Sequence, residues 1–537
     1  MHSDAVPVEL IGLGWERIQC HLRFRAAPDN RLAPETIRLQ DDAGEQVKPA
    51  HASVMDGHVV VRVNVMQGPD RRPLHPGRWR LVAAPPNAAG PVPLVVCDPT
   101  AGGYAGARAR FPIGGLEYVA EAVVAADAAL AIVVEVNRLA REAGPLPRPA
   151  AWLKGRLRWA IRPVRRRAFR LVFRVARAAR PRNGRRILFT SDSNDRLAGN
   201  LKLVHDRMKA RGLDRRHELR TLFSSPGANG RSIRNRLLLP VHLARADVVV
   251  LDDFHPLVYQ LEFDPDVKVV QLWHASGAFK TVGYSRVGRP GAPSPFGRAH
   301  KNYTHAIVSS RFEVPHYAEA FGIPESRVHP TGIPRMDRFF DSASRAANRE
   351  ATLGRFPAAR GRMTILFAPT FRGHGARGAR YDVELLDYAA LHRLCVEKDA
   401  VVIFRMHPFV RAPLRIPDAL RDRLLEASGA GIDVNDLLPA VDLLITDYSS
   451  IVFEFAALGR PMLFFAYDLD TYLFGRGFYV PYQEFVPGRI VRTFPELLEA
   501  IRHDAYEAHK VVSFAARHLD HLDGGSTDRV IDLIVAG

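Results

Sequence analysis

Two histidines and a pair of serines fall at the ends of short apolar runs in this chain. His274 ends "KVVQLW", and His407 ends "VVIFRM" within "RMHPF". Ser449 and Ser450 follow "LLITDY" and open "SSIVFEFAALG". Imidazole titrates near neutrality, so either histidine could take a proton from a hydroxyl nucleophile or give one to a phosphate oxygen. Taken alone, each histidine could as well be a hydrogen-bonded structural residue. The serines would offer hydroxyls, beside the free N–H groups of a helix start, to an anion. Plain N-capping accounts for them too. Arg372 in "APTFR" puts a cation at another strand end, suited to a diphosphate or to an exposed loop.

Residues so far apart need a scaffold that gathers strand ends. From "RRILFTSDS" onward, buried-type strands alternate with helical stretches: "RILFT", "DVVVLDD", "KVVQLW" and "HAIVSS". After "DSASRAANREATLGRFPAARGR" a second series follows: "MTILFAP", "VVIFRM", "DLLITD" and "PMLFFAY". Two successive βα series predict two doubly wound domains, with ligands at the C-terminal strand ends. The expected boundaries are 187–345 and 346–537. Residues 1–115, with period-two runs such as "RIQCHLRFR" and "VVVRVNV", predict a β-sandwich-like accessory domain. "VAEAVVAADAALAIVVEV" is expected to be a packed helix, within a helical stretch of about 117–142. Its acidic residues exclude a membrane span. The expected helical linker occupies 116–186.

The formal net charge is +18. Residues 151–186 hold fourteen Lys/Arg and no Asp/Glu, interleaved with Trp152, Trp159, Phe169 and Phe173. Cations mixed with aromatic residues predict contact with an anionic membrane surface. A solvated linker and a nucleic-acid arm are the alternatives. The three cysteines are far apart, which fits a reducing compartment. "GHGARG" (Gly373 to Gly378) matches a dinucleotide pattern but lies beyond its strand and reads as a loop. The acidic pairs Asp252–Asp253 and Asp468–Asp470 are weak metal signals, so neither a metal nor a cofactor is expected. No P-loop, zincin or G-x-S-x-G motif occurs.

Together "QLWHASGAFKTVG", "TGIPRMD", "ILFAPTFR", "FRMHP", "LLPAVDLLITDYSSIVFEFAALGRPMLFFAYDLDTY" and "DGGSTDRV" resemble, in order, the CDP-glycerol glycerophosphotransferase family of teichoic-acid-type polymer synthesis. The resemblance covers roughly 185–537. It implies a GT-B fold with the active site between the domains. It further implies transfer of glycerol phosphate, or another alditol phosphate, from a CDP-alditol to a hydroxyl of a lipid-linked acceptor, with CMP leaving. His274 would be the base, and His407, also catalytic, would hold the diphosphate. Thr370, Arg372, Asp447, Ser449 and Ser450 would hold the donor, and Glu454 its ribose. Ser276 and Lys280 would lie on the acceptor side. Many members carry Gly-Thr-Pro-Leu-Lys after the histidine where this chain has "ASGAFK", a difference on the acceptor side. The implied location is the cytoplasmic face of the cell membrane. The competing readings are a GT-B glycosyltransferase using a nucleotide sugar, and a basic nucleic-acid-binding or scaffold protein. Nucleic acid is not the expected partner.

Overall fold

The computed structural model describes residues 5–26, 32–69, 72–84, 90–98, 107–113, 116–138, 149–179, 182–223, 233–289, 291–373, 378–428, 431–475 and 477–536; side chains 26, 149–162, 233–236 and 474–475 are outside that description. Three sheets organise it, one of eleven strands and two of six.

The eleven-stranded sheet occupies the N-terminal part and encloses one core. Tyr118 lies in that core, and its hydroxyl donates to the carbonyls of Leu74 (2.8 Å) and Val65 (3.3 Å). The expected helix over 117–142 is instead a β-hairpin, strands Leu116–Val124 and Leu130–Arg138 in antiparallel register. Its apolar residues face packing on both sides, and alanines blur the period-two signal. The β region therefore runs past residue 115, to Arg138. Residues 139–142 lie outside the described residues.

The β domain docks on the next domain through ions. Arg17 donates to the fully buried Glu319 at 2.7 Å, Gln19 also donates to Glu319, and Arg62 pairs with Glu325. Helix Pro149–Ala179 follows. In its described half Phe173 is buried against Phe263, and Arg177 pairs with Asp264. Val164, Leu171 and Val175 are exposed among arginines. No described helix is long and apolar enough to cross a membrane.

Two parallel six-stranded sheets come next. The first runs in the order Glu218–Phe223, Arg186–Ser191, Val248–Leu251, Lys268–Gln271, His305–Ile307, Val328–His329. The second runs Leu424–Glu426, Ala400–Phe404, Met363–Phe367, Leu443–Thr446, Met462–Phe465, Arg489–Val491. Their central strands, such as Val248–Leu251, Ala400–Phe404 and Leu443–Thr446, are nearly continuous runs of Val, Ile, Leu and Phe, as strands covered on both faces require. The final helix, Ser526–Val535, departs from the expected boundary at 346. It crosses back to the first sheet's side, where Asp528 pairs with Arg207 on helix Gly199–Ala210 and Asp337 caps Ser526 and Thr527.

Candidate active site

In the second sheet the chain runs outward in both directions from the adjacent strands Met363–Phe367 and Leu443–Thr446. Such a switch point opens a crevice at the C-terminal strand ends. A cleft of about 270 Å³ lies there, lined by Arg335, Arg405, His407, Ser449, Ser450 and Glu454 among others. Arg405 is buried, and its guanidinium donates to the carbonyls of Met406 (3.1 Å) and Ile432 (2.9 Å). Its Nε has no hydrogen-bond partner. Burial pushes its pKa down, with Asp433 opposing. A buried cation held by carbonyls suits an anionic ligand, because desolvated charge is costly until paired.

His407 stands two residues beyond Arg405. Its Nδ1 accepts the backbone N–H of Phe409 at 3.1 Å, so the neutral ring carries its proton on Nε2. Burial, then Lys280 and Arg405, hold its pKa below the usual imidazole value. His407 is therefore a neutral hydrogen-bond donor at pH 7. His407→Gln, which keeps an N–H near the Nε2 position, should preserve most donor affinity. His407→Ala should lose about 10- to 100-fold, the worth of one hydrogen bond to a charged oxygen. Calorimetry with CDP checks both, and the NMR midpoint of the ring should fall below about 6.5.

Ser449 and Ser450 precede helix Ile451–Ala456, which is six residues long. That is shorter than the helix expected over "SSIVFEFAALG", so a helix-end field contributes little here. Ser450 makes no side-chain cap, and Ser449 Oγ lies 3.4 Å from the N–H of Ile451. The hydroxyls are thus largely uncommitted to capping. Glu454 is buried on this helix. Its Oε1 accepts from Ser276 Oγ at 2.7 Å and faces Arg335 at 3.6 Å, while its Oε2 has no hydrogen-bond partner.

Arg372 differs from the expected free cation. It donates to both oxygens of Asp468 (2.6 and 2.8 Å) and to Asp447 (2.8 Å). Tyr381, Tyr448, Tyr467 and Tyr472 surround it at 5.0–5.5 Å. Burial alone would lower its pKa, but Asp447 and Asp468 drive it up. Asp447 also accepts the N–H groups of Thr370 (2.7 Å) and Tyr448 (2.5 Å), tying the two central strand ends together. Thr370, Arg372 and Asp447 thus brace the cleft floor. Thr370 Oγ1 is buried with no hydrogen-bond partner.

His274 lies beyond strand Lys268–Gln271 of the first sheet. Trp273 turns the chain there through a left-handed φ of 54°. Gln271 Oε1 accepts the Trp273 N–H, and Asn200 donates to its carbonyl, both at 2.9 Å, so neighbours hold a bend that a large residue rarely adopts. The bend leaves the His274 side chain about half exposed, with Nδ1 3.5 Å from Asp253. Burial would raise the Asp253 pKa, but His274, Ser193 and the N–H of Phe254 hold it at about 2. Asp253 is therefore an ionised partner that orients the ring.

Two residues on, Ser276 makes the bond to Glu454 of the opposite domain. A Cβ on Gly277 would sit 2.2 Å from the ring of Phe453, so only glycine permits this approach. The His274 loop is thereby pressed against the cleft helix. Lys280 sits over Tyr472 at 5.3 Å and is bridged to Phe478. The structure brings His407, Ser449, Ser450 and Glu454 to one cleft, joins the His274 loop to it through Ser276, and sets Thr370, Arg372 and Asp447 behind. Sequence reasoning passed over Arg405, Arg335 and Asp253. The i, i+2 spacing of Arg405 and His407 at a strand end was the available signal. Gly373 and Gly378 flank residues 374–377, so most of the "GHGARG" loop lies outside the described residues. The described ligand-type cluster Asp41, Glu45 and His75 is in the β domain, away from this cleft.

Two parallel six-stranded sheets, with a cleft of arginines, histidine and hydroxyls at the strand ends of the second, define a mixed α/β fold of GT-B-like type. The chain belongs to the CDP-glycerol:poly(glycerophosphate) glycerophosphotransferase family, which it matches over residues 171–536. It is 40% identical over 398 residues to the teichoic acid ribitol-phosphate polymerase TarK of Staphylococcus aureus, covering 74% of this chain and 77% of that one. It is 41% identical to TarL of the same organism, also a ribitol-phosphate polymerase by name, over 68% of this chain and 64% of that one. The wall teichoic acid polymerase TagF shares the fold, with a TM-score of 0.56 at 22% identity over 72% of this chain and 98% of that chain.

Proposed function

We propose that this protein transfers an alditol phosphate from a CDP-alditol to a hydroxyl of a growing teichoic-acid-type acceptor. The observation that carries this reading is the convergence of Arg335, Arg405, His407, Ser449 and Ser450 on one cleft, to which the Ser276–Glu454 bond ties the His274 loop. The acceptor oxygen attacks the phosphorus that bears the alditol. The bond from that phosphorus to the CMP oxygen breaks, and CMP leaves. His274, oriented by Asp253, takes the acceptor proton. Arg405 and the Nε2–H of His407 stabilise charge on the phosphoryl oxygens. The free Oε2 of Glu454 would accept a ribose hydroxyl.

Ribitol is the favoured alditol. The relatives named for ribitol phosphate reach 34–41% identity over 68–74% of this chain, whereas one named for glycerol-phosphate priming reaches 26% over 55%. The test is CMP release from CDP-ribitol and CDP-glycerol with an alditol-phosphate oligomer as acceptor. Faster release from CDP-ribitol is expected. Preference for CDP-glycerol would reverse the alditol assignment, and no release from either would end the transfer reading.

We further propose that the acceptor is lipid-linked and that helix Pro149–Ala179 rests on the cytoplasmic membrane surface. Exposed Val164, Leu171 and Val175 among arginines support this. Each cation near an anionic bilayer contributes about 1 kcal/mol. Replacing Arg165, Arg166, Arg167, Arg170 and Arg174 by Gln should release the protein from anionic vesicles while leaving turnover of a soluble acceptor unchanged. Undiminished co-sedimentation would remove this helix as the anchor.

A further inference from the structure

A second, larger cavity of about 670 Å³ lies on the other side of the Arg372 brace, and no step above uses it. Phe371, Arg380, Tyr381, Asp382, Tyr467 and Tyr472 are among its lining residues. It borders the donor cleft at two points. Phe371 lies 4.6 Å, centroid to centroid, from the ring of His407. Tyr472 stacks at 3.7 Å on Tyr448, which directly precedes Ser449.

Its chemistry differs from that of the donor cleft. The cation Arg372 is already matched to Asp447 and Asp468. Exposed Arg380 is accompanied by exposed Asp382 and Glu384. This lining gives a polyanion no net attraction. Carboxylates and a guanidinium at the rim can instead accept from and donate to several hydroxyls at once. Tyrosine rings offer flat apolar faces with polar tips, suited to a chain bearing C–H on one side and O–H on the other. The Tyr381 hydroxyl is buried with no hydrogen-bond partner in the protein, a cost that a ligand hydroxyl would relieve.

We infer that this groove binds a neutral polyhydroxylated unit, an alditol or sugar, and holds it next to the reacting diphosphate. The inference rests on the transfer reading above and adds the site that grips the polyol. The unit belongs either to the acceptor chain or to the donor's own alditol, and one experiment separates the two.

Tyr467→Ala and the double variant Asp382→Asn/Glu384→Gln are prepared in the full-length protein. Binding of CDP, CDP-ribitol and a ribitol-phosphate trimer is measured directly by calorimetry and saturation-transfer NMR, without turnover. If the groove holds the acceptor, the trimer weakens about tenfold while CDP and CDP-ribitol are unchanged. If it holds the donor's alditol, CDP-ribitol weakens by about the same factor while CDP is unchanged. Less than twofold change in both polyol ligands, for both variants, overturns the inference. Unaltered CDP binding reports that the cleft is intact. Wild-type protein that binds the trimer yet never releases CMP would instead count against the transfer reading, so the two failures are distinct.

Discussion

His274→Ala is expected to lose about 10²-fold or more in turnover while the protein stays folded, because a general base contributes about 10²–10⁴-fold. The side chain is about half exposed and its ring lies on the neighbouring Trp273 ring, 4.5 Å between centroids, so its removal opens no enclosed cavity. The bend that presents it is held by Trp273, Gln271 and Asn200, none of which the substitution alters. Asp253→Asn should cost less. Its amide keeps the shape of the ring's partner at 3.5 Å but loses the negative charge, so turnover should fall with CDP affinity unchanged. Near-normal turnover of a folded His274→Ala protein would withdraw the base assignment.

Arg372→Met is expected to produce the largest loss of stability, about 3–5 kcal/mol, because it leaves the buried Asp447 and the half-buried Asp468 without their cation. Asp447 is almost wholly shielded, at 1% side-chain exposure, and Arg372 at 11%. Neutralising both carboxylates in the same protein, as Arg372→Met/Asp447→Asn/Asp468→Asn, should recover part of that loss. The asparagine at 447 can still accept the N–H groups of Thr370 and Tyr448. Denaturant unfolding of the single and triple variants reads the difference. A diphosphate ligand would behave otherwise: donor affinity would collapse and the unfolding midpoint would stay.

That contrast shows what the sequence carried and what it did not. The paired βα series, the strand-end positions of His274 and His407, and the Ser449–Ser450 turn were all legible. Each is a local event, an apolar run followed at once by polar residues. The role of Arg372 was not legible, because its partners lie 75 and 96 residues further along the chain. Only the parallel pairing of Met363–Phe367 with Leu443–Thr446 brings Asp447 to it. Asp253 was passed over as a weak metal signal. Its partner His274 comes from the next strand of the sheet. The hairpin over Leu116–Arg138 resembles a helix in sequence for a different reason. Its reversal at Ala125–Ala129 uses Ala128 in a left-handed φ of 58°, with Asp127 accepting the Ala129 N–H, and contains neither glycine nor proline. Without such punctuation two strands read as one long apolar helix.

The central claim is that the phosphorus next to the alditol moves with it. Phosphorus-31 NMR of a reaction between CDP-ribitol and a ribitol-phosphate oligomer follows both phosphorus atoms at once. The account predicts that one diphosphate resonance becomes a phosphodiester in the lengthened oligomer while the other appears as the monoester of CMP, in equal amounts. Appearance of CDP, with both phosphorus atoms retained on the nucleotide, would contradict it and assign the cleft to transfer at carbon.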